Sequence, residues 1–323
     1  MKRVNWRIVL LLFLLFLIVY IIIDNNRIKI VHEEIEMENL TPELDSFTIL
    51  QVTDIHEKEF GKNQKRLIKK INSIEYDLVV FTGDMLNSKR SNNYAPYYKL
   101  IEGINNKKHA FFVPGNADPA PYQVIHGEIE KHDFIKGIEE RGVRFLETNY
   151  AIPFGESLVR IVDFESSIIS ENRIEAYRDS TVDGNYTPYI RKQIENFKEN
   201  LVLDNEEEDL LIALNHYPVV DRRIDLLHSD PYYNMREFDL LMAGHYHGGQ
   251  FRIPFYGSVF VPEAYYDRSG LFPPQDRVKG LWEYKGLKQY VSTGLGSSDT
   301  LPFMKFRLFN TPELNVITFT SKK

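Results

Sequence analysis

A chain of 323 residues with 43% hydrophobic side chains holds enough apolar material for one large α/β domain or two small ones. Its net charge of -7 excludes a general nucleic-acid binder, which needs a basic face to displace counterions from phosphates. The absence of cysteine excludes disulfide frameworks, thiolate zinc sites and cysteine nucleophiles.

The first predicted element is the apolar run Ile8 to Ile23, preceded by Lys2, Arg3 and Arg7, with Trp6 and Tyr20 near its ends. It falls slightly short of the roughly 20 residues that span a bilayer, a deficit that flanking side chains make up. No small-x-small cleavage site follows, so the run reads as an uncleaved signal anchor rather than a signal peptide. Basic residues are denser before the run than after it, where Arg27 and Lys29 stand among acids. That asymmetry predicts residues 1–7 in the cytoplasm, a membrane-spanning segment at 8–23 and the bulk of the chain outside. Residues 24–46 read as a charged connector with the weak alternation of a lead-in strand. Globular composition begins at Phe47 and continues to residue 323 with no repeat or Pro/Ser-rich linker.

Five short apolar runs follow, each ending in a polar cluster: "FTILQVTDIH", "DLVVFTGDML", "HAFFVPGNAD", "DLLIALNHYP" and "FDLLMAGHYH". They are too short for helices and too continuous for half-exposed strands, so they are predicted as buried strands. "NQKRLIKKINSI" and "EIEKHDFIKGIEERG" carry helical spacing, the second closing on Gly142. Strand and helix in alternation predict an α/β layer fold with a largely parallel central portion. The later runs "GSVFVP", "KQYVSTG" and "LNVITF" lack long intervening helices and suggest a second sheet.

In open α/β sheets ligands sit beyond the carboxyl ends of the strands, where all five clusters fall. Together they supply Asp54, His56, Asp84, Asn116, Asp118, His216, His245 and His247. This cysteine-free oxygen and imidazole set suits manganese, iron, zinc or magnesium. It is too large for a single ion, whereas two ions sharing a bridging carboxylate would use it. Taken singly, each residue has a plainer reading as turn chemistry or a hydrogen-bonded surface histidine. The HxH pair adds two side chains on one side of an extended segment. His32, His109, His126, His132 and His228 lack such context and keep the plainer reading.

The series "TDIH", "FTGDMLN", "VPGNAD", "LNHYP" and "AGHYHGGQ" resembles the calcineurin-like metallophosphoesterases, with their DxH, GDxxD, GNH(D/E), lone His and GHxH blocks. The resemblance covers roughly Phe47 to Phe319. "HEKEFG", "GGQFRIP" and "YVSTGLGSS" resemble the bacterial membrane-associated branch, some of whose members act on nucleotide-sugar lipids such as UDP-2,3-diacylglucosamine. The resemblance implies a four-layer α/β/β/α sandwich holding two divalent ions, manganese first, with zinc, iron or magnesium as alternatives. Carried over residue by residue, it implies that Asp54, His56 and His247 bind one ion, that Asn116, His216 and His245 bind the other, and that Asp84 bridges them. Asp84, Asn116, Asp118 and His216 would then serve catalysis, in which hydroxide held by the ions attacks a phosphodiester or pyrophosphate bond in line. The glycines of "GHYHGGQ" would let backbone and substrate approach closely.

Two positions depart from the family pattern. Asn87 stands where GDxxD has its last Asp, a supporting residue, and Ala117 stands where GNH(D/E) has the histidine taken to protonate the leaving group. Tyr217 and Tyr246, each beside a ligand histidine, are candidate replacements. Loss of that acid predicts a preference for leaving groups that are already stable. Residues 165–200 and the segment "PEAYYDRSGLFPPQDRVKGLWEY" are rich in Tyr, Arg and Pro and are expected as rims around the site. Anchor and rim together suggest a lipid-linked phosphoester or pyrophosphate substrate at the membrane, with no nucleic-acid partner. An external domain would meet lipid pyrophosphates, phospholipids or wall-polymer phosphodiesters rather than cytosolic nucleotide-lipids. The competing reading is a catalytically silent, metal-bound scaffold, for which Ala117 would be the sign of decay.

Overall fold

A computed structural model describes residues 5–179, 187–204, 208–298 and 304–322. All five predicted strands form. "FTILQVTDIH" gives β2 (Thr48–Val52), "DLVVFTGDML" gives β3 (Leu78–Thr82) and "HAFFVPGNAD" gives β4 (Ala110–Val113). "DLLIALNHYP" and "FDLLMAGHYH" give β10 (Leu210–Leu214) and β11 (Leu240–Ala243). They divide between two six-stranded sheets.

The first sheet adds β1 (Lys29–Met37), β7 (Arg144–Phe145) and β16 (Glu313–Ser321), in the order β1-β16-β2-β3-β4-β7. From β2 to β7 the strands are parallel, while β16 runs antiparallel to β2. Residues 29–37, inside the expected connector, pair in register with β16 over nine residues and form the sheet edge. The run "LNVITF", expected in a second sheet, lies in the first. The second sheet contains β8 (Asn149–Phe154), β9 (Ser157–Asp163), β14 (Gly280–Tyr284) and β15 (Leu287–Val291), in the order β14-β15-β11-β10-β9-β8. Its four central strands are parallel, and its two edge strands are antiparallel.

Strand alternation explains why the apolar runs have no polar interruptions. Leu78 and Val80 of β3 face Leu210, Ile212, Leu214, Leu240 and Met242 of the second sheet. Val79 and Phe81 turn the other way, onto α2 (Lys65–Ile71), α3 (Ala95–Gly103) and α4 (Asp133–Glu139). Leu211, Ala213 and Leu241 likewise cover α5 (Phe164–Ser167) and α8 (Asp221–Ser229). Strands buried on both faces need apolar side chains at every position. The result is the expected four-layer α/β/β/α sandwich. Between the sheets, the buried Gln51 amide donates to Thr82 Oγ1 at 2.9 Å and to the Ala243 carbonyl at 3.0 Å, joining β2 to β11.

One predicted helix is shorter than its pattern. Glu128–Lys131 of "EIEKHDFIKGIEERG" forms strand β6, which pairs with β5 (Tyr122–Ile125), and α4 begins only after His132. His132 Nδ1 accepts from the Phe134 N–H and caps the helix start. Two further helices, α6 (Glu171–Asp179) and α7 (Thr187–Asn200), lie in the expected rim, of which residues 180–186 fall outside the described residues. "GSVFVP" contributes only Gly257–Ser258 (β13), paired with Arg252–Ile253 (β12).

The helix α1 (Trp6–Asn25) has a mean hydropathy of 2.9 and is long and apolar enough to cross a membrane. Its last turn is docked to the domain. The Asn25 side-chain amide donates to the Arg307 carbonyl and its Oδ1 accepts from the Arg307 N–H, both at 2.7 Å. Thr311 Oγ1 donates to the buried Asp24 at 2.6 Å.

Tyr97 of α3 packs against Phe81, Phe112 and Phe134 with its hydroxyl buried and unpartnered. An unsatisfied buried hydroxyl costs on the order of 1–3 kcal/mol, so Tyr97→Phe is expected to leave stability unchanged or raise it by about 1 kcal/mol. Denaturant unfolding of the full chain measures this. A loss of more than about 1 kcal/mol would mean that a buried water satisfies the hydroxyl.

Candidate metal centre

The site lies where the carboxyl ends of both sheets meet. The loop after β2 is zipped to the loop after β3: the Asp54, His56 and Glu57 N–H groups donate to the Gly83, Asp84 and Met85 carbonyls, each at 3.0 Å. This pairing carries Asp54, His56 and Asp84 into left-handed backbone, at φ of 52°, 47° and 55°. His245 and His247 are likewise left-handed, at 68° and 50°. Non-glycine residues rarely adopt this conformation, and its persistence at five donor residues is strain of the kind that collects at functional sites. The GHYH segment is therefore not extended. A strand would put its two imidazoles side by side, but the left-handed turns aim them at different partners.

Two donor groups result, with ligand atoms within 4.8 Å of one another in each: Asp54, His56, Asp84 and His247, then Asp84, His216 and His245. In the first, His56 Nε2 lies 3.2 Å from His247 Nε2 and 3.4 Å from Asp84 Oδ2, and His247 Nε2 lies 3.6 Å from Asp54 Oδ1. In the second, His216 Nε2 lies 3.1 Å from His245 Nδ1, 3.4 Å from Asp84 Oδ2 and 3.2 Å from Asn116 Oδ1. Atoms bound to one ion at about 2.0–2.2 Å are separated by about 3–3.5 Å, so the donor spacing fits divalent cations. Their chemistry fits too. Burial holds His245 down at about 3 and His247 well below its usual range, so both imidazoles are neutral and present lone pairs. Burial pushes the Asp84 carboxyl up, but His216, His56 and the Ala117 N–H outweigh it and keep the group ionised. For His216, burial opposes charge, yet Asp84 raises it to about 9. Its Nδ1–H donates to the Thr82 carbonyl at 2.9 Å, which orients Nε2 toward the cluster.

The remaining site residues take supporting places. Asp118, expected among the catalytic groups, belongs to neither donor group. Its Oδ2 accepts from the Asp84 and Gly115 N–H groups at 2.8 and 2.9 Å, and its Oδ1 from Met85 and Leu86 at 3.0 and 3.1 Å. Ala117 donates its N–H to Asp84 Oδ1 at 2.7 Å. Asn87 lies outside the cluster and accepts from Lys305. Tyr246 is buried and donates to Glu263 at 2.6 Å, which removes it as a proton donor to substrate. Tyr217 is 42% exposed and packs its ring on His216 and His245, at the mouth. Gly248 and Gly249 approach Thr293 and Ser258 rather than an open site. Tight positions are Gly83 (φ 86°), where a Cβ would stand 2.6 Å from His216 Nδ1 and from the Gly115 nitrogen, and Gly244, where it would stand 2.5 Å from Asp54 Oδ2. The five histidines given the plainer reading stay out of both groups.

One supporting residue gave no signal in the sequence. Arg307 is fully buried behind His247 and donates to the carbonyls of Asn310, Gly296, His247 and Thr293 at 2.7–3.1 Å.

The family model for calcineurin-like phosphoesterases matches residues 47–249, well over half of the chain. The chain belongs to this family. Among its relatives, the metallophosphoesterase YkuE of Bacillus subtilis (strain 168) is 25% identical over 285 residues, covering 86% of this chain and 80% of YkuE. The UDP-2,3-diacylglucosamine pyrophosphatase LpxG of Chlamydia muridarum (strain MoPn / Nigg) is 22% identical over 323 residues, covering 91% and 90%. A more distant structural likeness is the phosphopantetheinyl hydrolase PptH of Mycobacterium tuberculosis, with a TM-score of 0.39 and 13% identity over 82% of this chain and 96% of PptH. The family uses divalent metals, and the buried Asp/His cluster fits them.

A cation that takes His216 Nε2 as a ligand must displace the proton that Asp84 retains there up to about pH 9. Mn²⁺ uptake by chelator-treated protein is therefore expected to release protons and to tighten as pH rises from about 6 toward 9. Titration calorimetry in buffers of different ionisation enthalpy checks this. Affinity independent of pH across that window would remove His216 from the ligand set.

Proposed function

We propose that this chain is a two-ion phosphoester hydrolase acting on phosphodiester or pyrophosphate bonds of a lipid-linked substrate at a membrane. The observation that carries the reading is the pair of donor groups sharing Asp84. Asp54, His56 and His247 would hold one ion, Asn116, His216 and His245 the other, and Asp84 both. The bound ions would make a water nucleophilic at neutral pH and stabilise charge on the phosphoryl oxygens. Manganese is the first expectation among the metals this donor set accepts.

The chain's own residues shape the rest. Asp118 fixes the Asp84–Leu86 backbone and so sets the position of Asp84. Ala117 offers only a backbone N–H, already given to Asp84, and no side-chain proton for a leaving group. Without that acid, bonds to a stable leaving group, such as a phosphate, are favoured over simple alkyl esters. Tyr217 is the hydroxyl at the mouth that can assist. Beside it runs a groove of about 830 Å³ lined by Tyr217, Arg223, Leu226, Tyr233, Pro262 and Tyr265. Arg223 is held by Glu165 at 2.6 Å. The walls mix aromatic and aliphatic side chains with Arg223, Asp230 and Glu263, which leaves room for an apolar substituent beside polar contacts, and the helix α1 would keep the site near lipid. The activity named for LpxG, a pyrophosphatase of a lipid, supports the same substrate class. The basic residues ahead of α1 support an extracytoplasmic position for the domain.

With Mn²⁺, the purified full chain is expected to hydrolyse bis-p-nitrophenyl phosphate faster than the monoester, and Asp84→Asn is expected to abolish turnover. Ala117→His should raise the rate on alkyl phosphoesters by on the order of tenfold or more. An unchanged rate would show that the missing imidazole does not govern leaving-group preference. Bound ions without turnover on any phosphoester would instead favour a metal-bound scaffold.

A further inference from the structure

The turn between β12 and β13 carries a side chain with nothing to pack against. Phe255 is fully exposed although its backbone is left-handed, at φ 68°, a strained state for an aromatic residue. Around it Ile253, Tyr256, Phe260, Leu271 and Phe272 are each 41–50% exposed, and Tyr256 packs edge-on against Phe272. The base of the hairpin is fixed. Gln275 accepts from the Ser258 N–H and donates to the Ser258 carbonyl, at 2.7 and 2.9 Å, and Arg252 donates to the Gly248 carbonyl at 2.7 Å. A rigid base presenting bare aromatic side chains is a built surface, and contiguous exposed apolar patches of this kind mark interaction sites.

The fold indicates what covers it. The Arg252 N–H donates to the Leu308 carbonyl, and the Leu308 N–H donates to the Gln250 carbonyl. On the two sides of Leu308, Arg307 is hydrogen-bonded to Asn25 of α1, and Phe309 packs on Tyr20 of α1 with ring centroids 5.1 Å apart. Tyr20 lies five residues before Asn25, about 7.5 Å along the axis at 1.5 Å per residue. If α1 crosses a bilayer, Phe309 stands in the interfacial layer, where aromatic rings are favoured. One strand segment separates it from the hairpin.

We infer that the β12–β13 hairpin and Phe272 seat in the lipid leaflet that α1 leaves at Asn25, as a second membrane contact. This rests on the reading of α1 as the anchor and goes beyond it. A helix alone would leave the domain free to swivel, whereas a second point fixes its orientation. Arg252 follows His247 by five residues, so the same contact would hold the metal centre at the headgroup layer, within reach of a lipid-linked phosphate.

The chain's lack of cysteine allows a direct test. Phe255→Cys, Leu12→Cys and Lys99→Cys variants of the full chain, each bearing one nitroxide, are placed in phospholipid nanodiscs. Collision broadening is then measured with oxygen and with a water-soluble nickel chelate. The expected result at 255 is strong oxygen broadening and loss of nickel broadening toward the level at position 12, with the reverse at position 99. Nickel access at 255 equal to that at 99, with position 12 protected, overturns the hairpin contact and leaves the anchor standing. Nickel access at position 12 overturns the anchor itself. Spin–spin broadening at 255 would assign the patch to a second copy of this chain and likewise overturn the inference. Phe255 packs against nothing, so its replacement leaves the fold intact, and unchanged turnover confirms this.

Discussion

The carboxylate of Asp84 belongs to both donor groups, and much of the local structure exists to hold it in place. Asp118 accepts four backbone N–H groups, three of them from Asp84, Met85 and Leu86, and so fixes the turn that presents Asp84. Gly83 brings that turn against His216, and the Ala117 N–H occupies one oxygen. A buried carboxylate among four imidazoles would be costly in a fold without compensating charge. The surrounding loops accept left-handed strain at five residues to maintain it.

Most of the donors were legible in the sequence because each follows directly on a buried strand. A strand end is a fixed point in space, so residues just beyond it inherit its position. Four of the five blocks combine an apolar run of β3, β4, β10 or β11 with one or two polar donors, and β2 supplies the fifth. Asn116, the most exposed of the donors, was read as readily as buried Asp54. The function of Asp118 was not legible, because nothing in "GNAD" distinguishes a ligand from a residue that accepts backbone N–H groups. Arg307 was invisible for a similar reason. Its partners are main-chain carbonyls spread over sixty residues, which leave no side-chain pattern.

The fold itself was legible in its elements more than in their assembly. Alternation identified the strands, but it does not say which sheet receives a strand, and β16 returned to the first sheet beside β1. The connector shows the same limit. Its weak alternation in "RIKIVHEEIEM" was visible, while its pairing with residues almost three hundred positions away depends on tertiary contacts. Residues Glu128–Lys131 changed from an expected helix to a strand because the facing Tyr122–Ile125 segment supplied an edge for them.

Each donor group draws on both sheets. Asp54, His56 and Asp84 follow strands of the first, and His216, His245 and His247 follow strands of the second. Ions seated there would act as a further clasp between two halves already joined at this end by the Gln51 amide, by the His216–Thr82 and His245–Asp54 hydrogen bonds and by the Leu295 N–H on the Thr53 carbonyl. Chelation would then do more than silence chemistry: it would remove one tie across the seam of the sandwich, so that the alignment of the two sheets comes to depend in part on the metal supply.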